Sequence, residues 1–96
     1  MDTSVANKPK ALSECRILIV DDDRLNISIL KGILKAEGYQ LESAASGEEA
    51  LEKYPEFSPD LVLLDVMMPG INGFQACRQL NELYGDDCAP IIFITA

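Results

Sequence analysis

The sequence predicts an α/β domain: a parallel sheet with helices on both of its faces. Four short apolar runs alternate with segments of helical periodicity, in the order β-α-β-α-β-α-β. Two of the runs, 17–20 and 61–64, are continuously apolar, which is typical of strands buried on both faces of a parallel sheet. Strands that alternate with helices in this way pair in parallel through right-handed crossovers. The 96 residues suffice for one such domain.

The N-terminal part supplies a lead-in, a strand and a helix. Residues 1–15 mix polar residues and proline without periodicity, and we expect a flexible lead-in there. Arg16–Val20 is the first predicted strand. Asp23 is expected to cap the first helix, and Gly38 to end it in a left-handed conformation. The helix itself is predicted from apolar residues at helical spacing: Leu25, Ile29, Leu30, Ile33, Leu34 and Ala36.

The next strand and helix carry weaker signals. Residues 39–44 alternate only loosely between apolar and polar types, which predicts a strand near a sheet edge. Residues 46–49 read Ser-Gly-Glu-Glu, the form of a capping box, and predict the start of a second helix. Pro55 is expected to end that helix, because proline lacks the N–H group that the helix needs.

The C-terminal part adds two strands around a third helix. Residues 60–64 form the third predicted strand, with Asp65 at its tip. A loop containing proline and glycine then leads to a predicted helix over about 74–83. After a second turn, 91–95 is the fourth predicted strand.

Composition and charge exclude several classes of function. A formal net charge of −8 argues against a nucleic-acid partner, which requires a basic face. The chain has no histidine, which removes His-based triads and most zinc sites, and its three cysteines form no CxxC motif and are expected to be reduced. No apolar run approaches the roughly 20 residues that span a bilayer, and no signal peptide is recognisable. We therefore expect a cytoplasmic protein that binds neither membranes nor nucleic acid.

Three aspartates stand where apolar strands end. Asp21 and Asp22 follow the first predicted strand, and Asp65 follows the third. The carboxyl ends of parallel strands open into one crevice, so these carboxylates should lie together. Like charges at such short distances repel one another unless a cation lies among them, and ligation by oxygen atoms alone suits Mg²⁺. The sequence therefore predicts a magnesium site at the strand tips.

Asp65 could serve this site as a metal ligand, as a base or as a nucleophile. As a nucleophile it would attack a phosphoryl group and form an acyl phosphate, while Asp21 and Asp22 hold the ion that offsets the charge. Thr95 ends the fourth predicted strand, and its hydroxyl is expected to face the crevice and bond a phosphoryl oxygen. Taken singly, these residues fit capping acids, a loop acid and an ordinary strand threonine. Their shared position at one end of the sheet favours a site.

From position 16 onward the sequence resembles the receiver domain of two-component response regulators. The resemblance rests on ILIVDDD at the first strand, DLVLLDVMMPGINGF around the third and IIFITA at the fourth. The middle segment is the most specific, because a strand ending in Asp is followed there by MMPG and a helix that starts near Gly-Phe. The resemblance implies a flavodoxin-like (CheY-like) fold over 16–96, with strand order 2-1-3-4.

The resemblance also implies a role for each site residue. Asp65 would be the phosphoacceptor, receiving a phosphoryl group from a histidine kinase or phosphotransfer protein. Asp22 would ligate Mg²⁺ directly, Asp21 through water or by supporting the site, and Met67 through its backbone carbonyl. Thr95 would be the switch hydroxyl that moves toward the phosphoryl group. Such a domain takes part in its own phosphotransfer and is not a separate catalyst.

Parts of the family pattern would lie beyond Ala96. They are a fourth helix, a fifth strand tipped by a lysine, and a fifth helix. We therefore expect 16–96 to be a partial receiver domain whose fourth strand exposes an apolar edge. Such edges favour pairing with another chain, so self-association through this edge is expected.

Two other functions compete with this interpretation. One is a magnesium-dependent phosphatase with an aspartyl nucleophile, a class that carries a D-x-D pattern whose second acid protonates the leaving group. Here the position of the second acid is occupied by Met67, which cannot donate a proton. The other alternative is a receiver fragment that acts only as a structural or oligomerisation module, without phosphorylation. Nucleotide-binding motifs are not found, since 70–73 is only G-x-x-G.

Overall fold

The computed structural model describes residues 12–94 and gives the four strands and three helices their bounds. The elements are β1 (Arg16–Val20), α1 (Arg24–Ala36), β2 (Gln40–Ala44), α2 (Gly47–Phe57), β3 (Leu61–Asp65), α3 (Gly73–Tyr84) and β4 (Ile91–Ile94). Short 3-10 turns occur at Leu12–Glu14 and Gly85–Asp87. Most of the predicted lead-in therefore lies outside the described residues. Its last part contacts the domain, since the Gln40 side chain donates to the Ser13 carbonyl over 2.7 Å.

The four strands form one parallel sheet in the order β2-β1-β3-β4. The α/β fold with strand order 2-1-3-4 is thus confirmed. Val20 pairs with Ala44 on one side and with Leu64 on the other, so β1, β2 and β3 end nearly level. Asp65 pairs with Ile94 of β4. All four carboxyl ends therefore meet at one edge of the sheet.

Helices α2 and α3 cover one face of the sheet and enclose the main core. Its fully buried members include Leu18, Val20, Ala44, Ala50, Val62, Leu64, Ala76 and Leu80. Tyr54 of α2 stacks on Tyr84 of α3 with ring centroids 4.4 Å apart. The buried hydroxyl of Tyr54 accepts a hydrogen bond from the Ala89 N–H at 2.7 Å, which ties α2 to the turn before β4.

Helix α1 lies on the opposite face, against β1 and β2, and contains no buried residue. Ile17 and Ile19 of β1 are buried on that face, since successive strand side chains alternate. The apolar stripe predicted for α1 divides in two. Leu30 and Leu34 are half-buried against the sheet, as is Ile27, which the predicted stripe did not include. Leu25, Ile29 and Ile33 remain 67%, 51% and 59% exposed, because the remaining surface of that face has no second helix among residues 12–94.

The predicted ends of α1 agree with the structure. The Asp23 side chain accepts from the Leu25 N–H at 2.9 Å, so Asp23 caps the helix. Gly38 has a φ of 97°, the left-handed conformation expected after the last turn.

The prediction that Pro55 ends α2 is wrong, because the helix continues to Phe57. A proline near the end of a helix removes only one of its hydrogen bonds. The last turn is kept by the Ser58 N–H, which donates to the Tyr54 carbonyl at 2.9 Å, and by Phe57, which packs on the core. Ser58 itself adopts the left-handed conformation that closes the helix (φ 51°).

The predicted capping box of α2 is only half formed. Ser46 Oγ accepts from the Glu49 N–H at 3.0 Å, as the motif requires. The Glu49 carboxylate, however, accepts from the N–H of Ala45 at 2.8 Å instead of that of Ser46. The returning hydrogen bond is displaced by one residue and fixes the chain that enters α2 from β2.

No helix in the 12–94 segment is long and apolar enough to cross a membrane.

Candidate functional site

Three acidic side chains converge at the carboxyl edge of the sheet. Oxygens of Asp21, Asp22 and Asp65 all lie within 4.8 Å of one another. This follows from the register, which ends the neighbouring strands β1 and β3 at the same level. Asp21 and Asp65 are 2% and 4% exposed, whereas Asp22 is open to solvent. Two buried carboxylates and one exposed carboxylate thus share a crevice with an open side.

Asp21 is held through both of its carboxylate oxygens. Oδ1 accepts from the backbone N–H of Asp23 at 2.9 Å, and Oδ2 accepts from Nδ2 of Asn26 at 3.3 Å. Its own N–H donates to the carbonyl of Ala44 in β2 at 3.0 Å. Asn26 was not found by sequence reasoning. The available signal was its spacing: a polar residue in the first turn of a helix whose cap directly follows the acidic pair.

Asp65 is buried in an environment that disfavours its charge. Burial raises the pKa of its carboxyl above the ordinary value, and the negative charges of Asp21 and Asp22 raise it further. The N–H of Met67 opposes this effect by donating to Oδ1 at 3.2 Å. A divalent cation among the three carboxylates would offset the repulsion, and a set of oxygen donors with an open side fits Mg²⁺, which keeps several waters.

Met67 and Thr95, the other two predicted site residues, are placed very differently. Met67 follows β3 in the loop above the crevice, and its side chain is 78% exposed while its N–H contacts Asp65. An apolar side chain is accommodated there because the contact with the site is made by the backbone. Thr95 lies outside the described residues, directly after Ile94.

The start of α3 is packed against the backbone at the end of β3. A Cβ on Gly73 would overlap the carbonyl oxygen of Asp65 and lie 2.8 Å from the Cα of Val66. The Gly73 N–H donates to the Val66 carbonyl at 3.0 Å. A capping box between Asn72 and Gln75, with hydrogen bonds of 2.8 and 2.9 Å, fixes the helix start. That box was also missed, although the N-x-x-Q spacing is a readable signal.

The first turn of α2 supports the loop between β3 and α3. Gly70 has a φ of 79°, and a Cβ there would lie 2.9 Å from Oε2 of Glu48. Gly47 lies close to Ile71, because a Cβ on Gly47 would be 2.5 Å from Cγ1 of Ile71. The left-handed φ favours glycine at position 70, although the Glu48 carboxylate, the end of a flexible exposed side chain, could move aside. At position 47 a larger residue would displace Ile71, so this contact brings α2 against the loop that carries Met67.

Comparison with known proteins gives a consistent result. The family profile described as the response regulator receiver domain matches residues 17–96. Response regulator MprA from Mycolicibacterium vanbaalenii is 48% identical over 81 residues, which cover 84% of this chain and 34% of that protein. Response regulator PleD from Caulobacter vibrioides is 43% identical over 81 residues, which cover 84% of this chain and 18% of PleD. The chain thus spans about a third or less of the length of these relatives.

A solved structure supports the same assignment. The response regulator TrrA from Thermotoga maritima, crystallised in complex with Mg²⁺-BeF, matches with a TM-score of 0.79 and 43% identity. The match covers 85% of this chain and 70% of the TrrA chain. Parallel sheet, strand order, acidic strand tips and sequence agree, and the chain belongs to the response regulator receiver domain family, the phosphoacceptor module of two-component systems.

Proposed function

We propose that this chain accepts a phosphoryl group on Asp65 from a histidine kinase or phosphotransfer protein, in the presence of Mg²⁺. The observation that carries the proposal is the convergence of Asp65 with Asp21 and Asp22 inside a largely buried crevice. A carboxylate whose pKa is raised by burial and by like charges is typical of functional sites. We also propose that the chain works in the cytoplasm and does not bind nucleic acid, in keeping with its charge of −8.

In the proposed reaction, an Asp65 oxygen bonds to phosphorus while the phosphorus–nitrogen bond to the donor imidazole breaks. The electron pair stays on the imidazole nitrogen, and the product is an acyl phosphate. When bound, Mg²⁺ would offset the charge of the carboxylates and of the transferring group. Asp22, the exposed acid, is suited to ligate the ion directly, together with the Met67 carbonyl. Asp21, which already accepts two protein hydrogen bonds, is suited to act through water.

The geometry around Asp65 favours one of its oxygens as the nucleophile. Oδ1 accepts from the Met67 N–H, and we propose Oδ2 as the attacking oxygen because it is free of that bond. The hydrogen bond to Oδ1 keeps the carboxylate from turning, which holds the attacking oxygen in place. Thr95, next after Ile94, would bond the transferred phosphoryl group through its hydroxyl.

The test is phosphorylation by acetyl phosphate with Mg²⁺, followed by intact mass measurement. We expect a mass increase of one phosphoryl group in the wild-type chain and none in Asp65→Asn. The matched control is Asp86→Asn, an exposed aspartate in the turn before β4, which should label like wild type. A folded wild-type chain that takes no phosphoryl group, or labelling that survives Asp65→Asn, would contradict the proposal.

A second candidate is an inert receiver module that only self-associates. The observation that favours it is β4, which is an edge strand of the described sheet and exposes Ile92 and Phe93 by 52% and 38%. Phe93 also contacts Phe74 of α3, with ring centroids 4.9 Å apart, and Phe74 is itself 54% exposed. An apolar edge of this kind favours pairing with a second chain. Dimerisation without any Asp65-dependent labelling would favour the inert module.

A further inference from the structure

We propose that Asn26 is a positioning residue for the carboxylate cluster: its side-chain amide holds Asp21 in the orientation that a bound Mg²⁺ requires. The proposal deepens the proposed function and rests on it only for the identity of the cation. The residues that carry it are Asn26, Asp21 and Asp23, which join the start of α1 to the tip of β1.

The two oxygens of Asp21 receive their hydrogen bonds from one short segment. The Asp23 N–H bonds Oδ1 and the Asn26 amide bonds Oδ2, so the plane of the carboxylate is fixed at both ends. Asp21 is only 2% exposed, and water therefore has little access to replace a lost donor. Each carboxylate oxygen can accept two hydrogen bonds or ligands, which leaves Asp21 able to face a hydrated cation.

Loss of the Asn26 donor would change the cluster in two ways. Oδ2 of Asp21 would be buried without its donor, which is costly for a charged acceptor. The carboxylate would also be free to turn about its last side-chain bond, toward or away from Asp65 and Asp22. A cation site depends on the mutual orientation of its oxygens, so a freely turning carboxylate would bind more weakly.

An amide is the side chain suited to this position. Asn26 is half-buried in the first turn of α1, three residues after the capping Asp23. A carboxylate there would add a fourth negative charge beside three others and could donate no hydrogen bond. The amide supplies a neutral donor, so it orients Asp21 without changing the charge available to the cation.

The test uses two substitutions in the full chain. Asn26→Ala removes the amide, and Asn26→Leu removes the donor while keeping a side chain of similar size and shape. We expect both to raise the Kd for Mg²⁺, measured by isothermal titration calorimetry, by roughly tenfold, the lower end of the range for residues that orient metal ligands. Ser28→Ala, on the exposed side of the same helix, is the control and should leave the Kd unchanged.

Two further measurements separate positioning from a structural role. Asn26→Leu should lower the thermal midpoint without metal, because the buried Asp21 oxygen loses its donor, but acetyl phosphate labelling of the folded variant should return to the wild-type rate at saturating Mg²⁺. An unchanged Kd in Asn26→Leu, or slow labelling that Mg²⁺ does not restore, would overturn the proposal. Absence of Asp65 labelling with an Asn26-dependent Kd would overturn the proposed function instead and leave this inference standing.

Discussion

At the scale of single residues, Asp65 carries a charge that the fold disfavours. Burial first, and then the charges of Asp21 and Asp22, raise its pKa, so the folded chain binds this proton more tightly than the unfolded chain. The free energy of unfolding therefore falls as the pH rises from the unfolded pKa through the higher folded one. A site of this kind is destabilising when empty and is relieved by a cation.

Because ionised Asp65 lowers the free energy of unfolding, Asp65→Asn should stabilise the chain when no cation is bound. In chelator at neutral pH the variant should unfold at a higher temperature than wild type, because it lacks the disfavoured charge. The difference should shrink as the pH falls from 7 to about 4, where about half of the unfolded carboxyls are already protonated. Thermal scans from pH 4 to pH 7 measure it, with Asp86→Asn as the control for loss of one aspartate. Equal midpoints of Asp65→Asn and wild type at pH 7 would contradict it.

Mg²⁺ should reverse the order of the two melting temperatures, so that wild type unfolds at a higher temperature than Asp65→Asn. A ligand that binds only the folded state raises the melting temperature in proportion to the logarithm of its concentration over Kd. The melting temperature of wild type should therefore rise more with Mg²⁺ than that of Asp65→Asn, because the variant has lost one negatively charged ligand. The same scans repeated with increasing Mg²⁺ provide the measurement.

At the scale of elements, the contact between α3 and β3 leaves no room for a side chain at position 73. Gly73→Ala would place a methyl group onto the Asp65 carbonyl, so α3 or β3 must shift. We expect a loss of about 1–3 kcal/mol in the free energy of unfolding, the usual cost of overpacking, and weaker Mg²⁺ binding.

Gly32→Ala is the matched control for that change. Gly32 lies within α1, and a Cβ there would meet nothing within 4 Å. We expect Gly32→Ala to stabilise the chain by about 0.5–1 kcal/mol, since alanine is the better helix former. Urea denaturation measures both variants, and equal effects of the two substitutions would contradict the proposed packing of Gly73.

The strands could be predicted from the sequence because apolar runs are local signals, whereas their order followed from the resemblance to receiver domains. The sequence was insufficient where a non-local contact decides. Pro55 remains inside α2 because Phe57 packs on the core. Leu25 is exposed because, among residues 12–94, no second helix lies beside α1 on that face of the sheet. The acidic cluster could be predicted from strand ends, whereas the bond from Asn26 depends on how α1 leaves β1.

At the scale of the whole molecule, the two faces of the sheet are unequally covered. The β4 edge and the α1 stripe leave apolar surface open among the described residues. We expect self-association through β4, measured as a mass above the monomer in light scattering.

Ile92→Lys should shift that equilibrium toward monomer, because a charge on an edge strand opposes pairing. Leu83→Lys, on α3 and 65% exposed, is the control with the same change of charge and should keep the wild-type mass. A wild-type chain that is monomeric and well folded would contradict the prediction.

The absence of buried residues in α1 has a consequence for hydrogen exchange. Elements with few buried contacts open locally at a lower free energy than the core, so amides of α1 should exchange faster than those of α2 and α3. Yet the cap and first turn of this same helix hold Asp21 through Asp23 and Asn26. Occupation of the cation site should therefore slow exchange along α1 more than anywhere else, so that the weakest helix reports whether the site is filled.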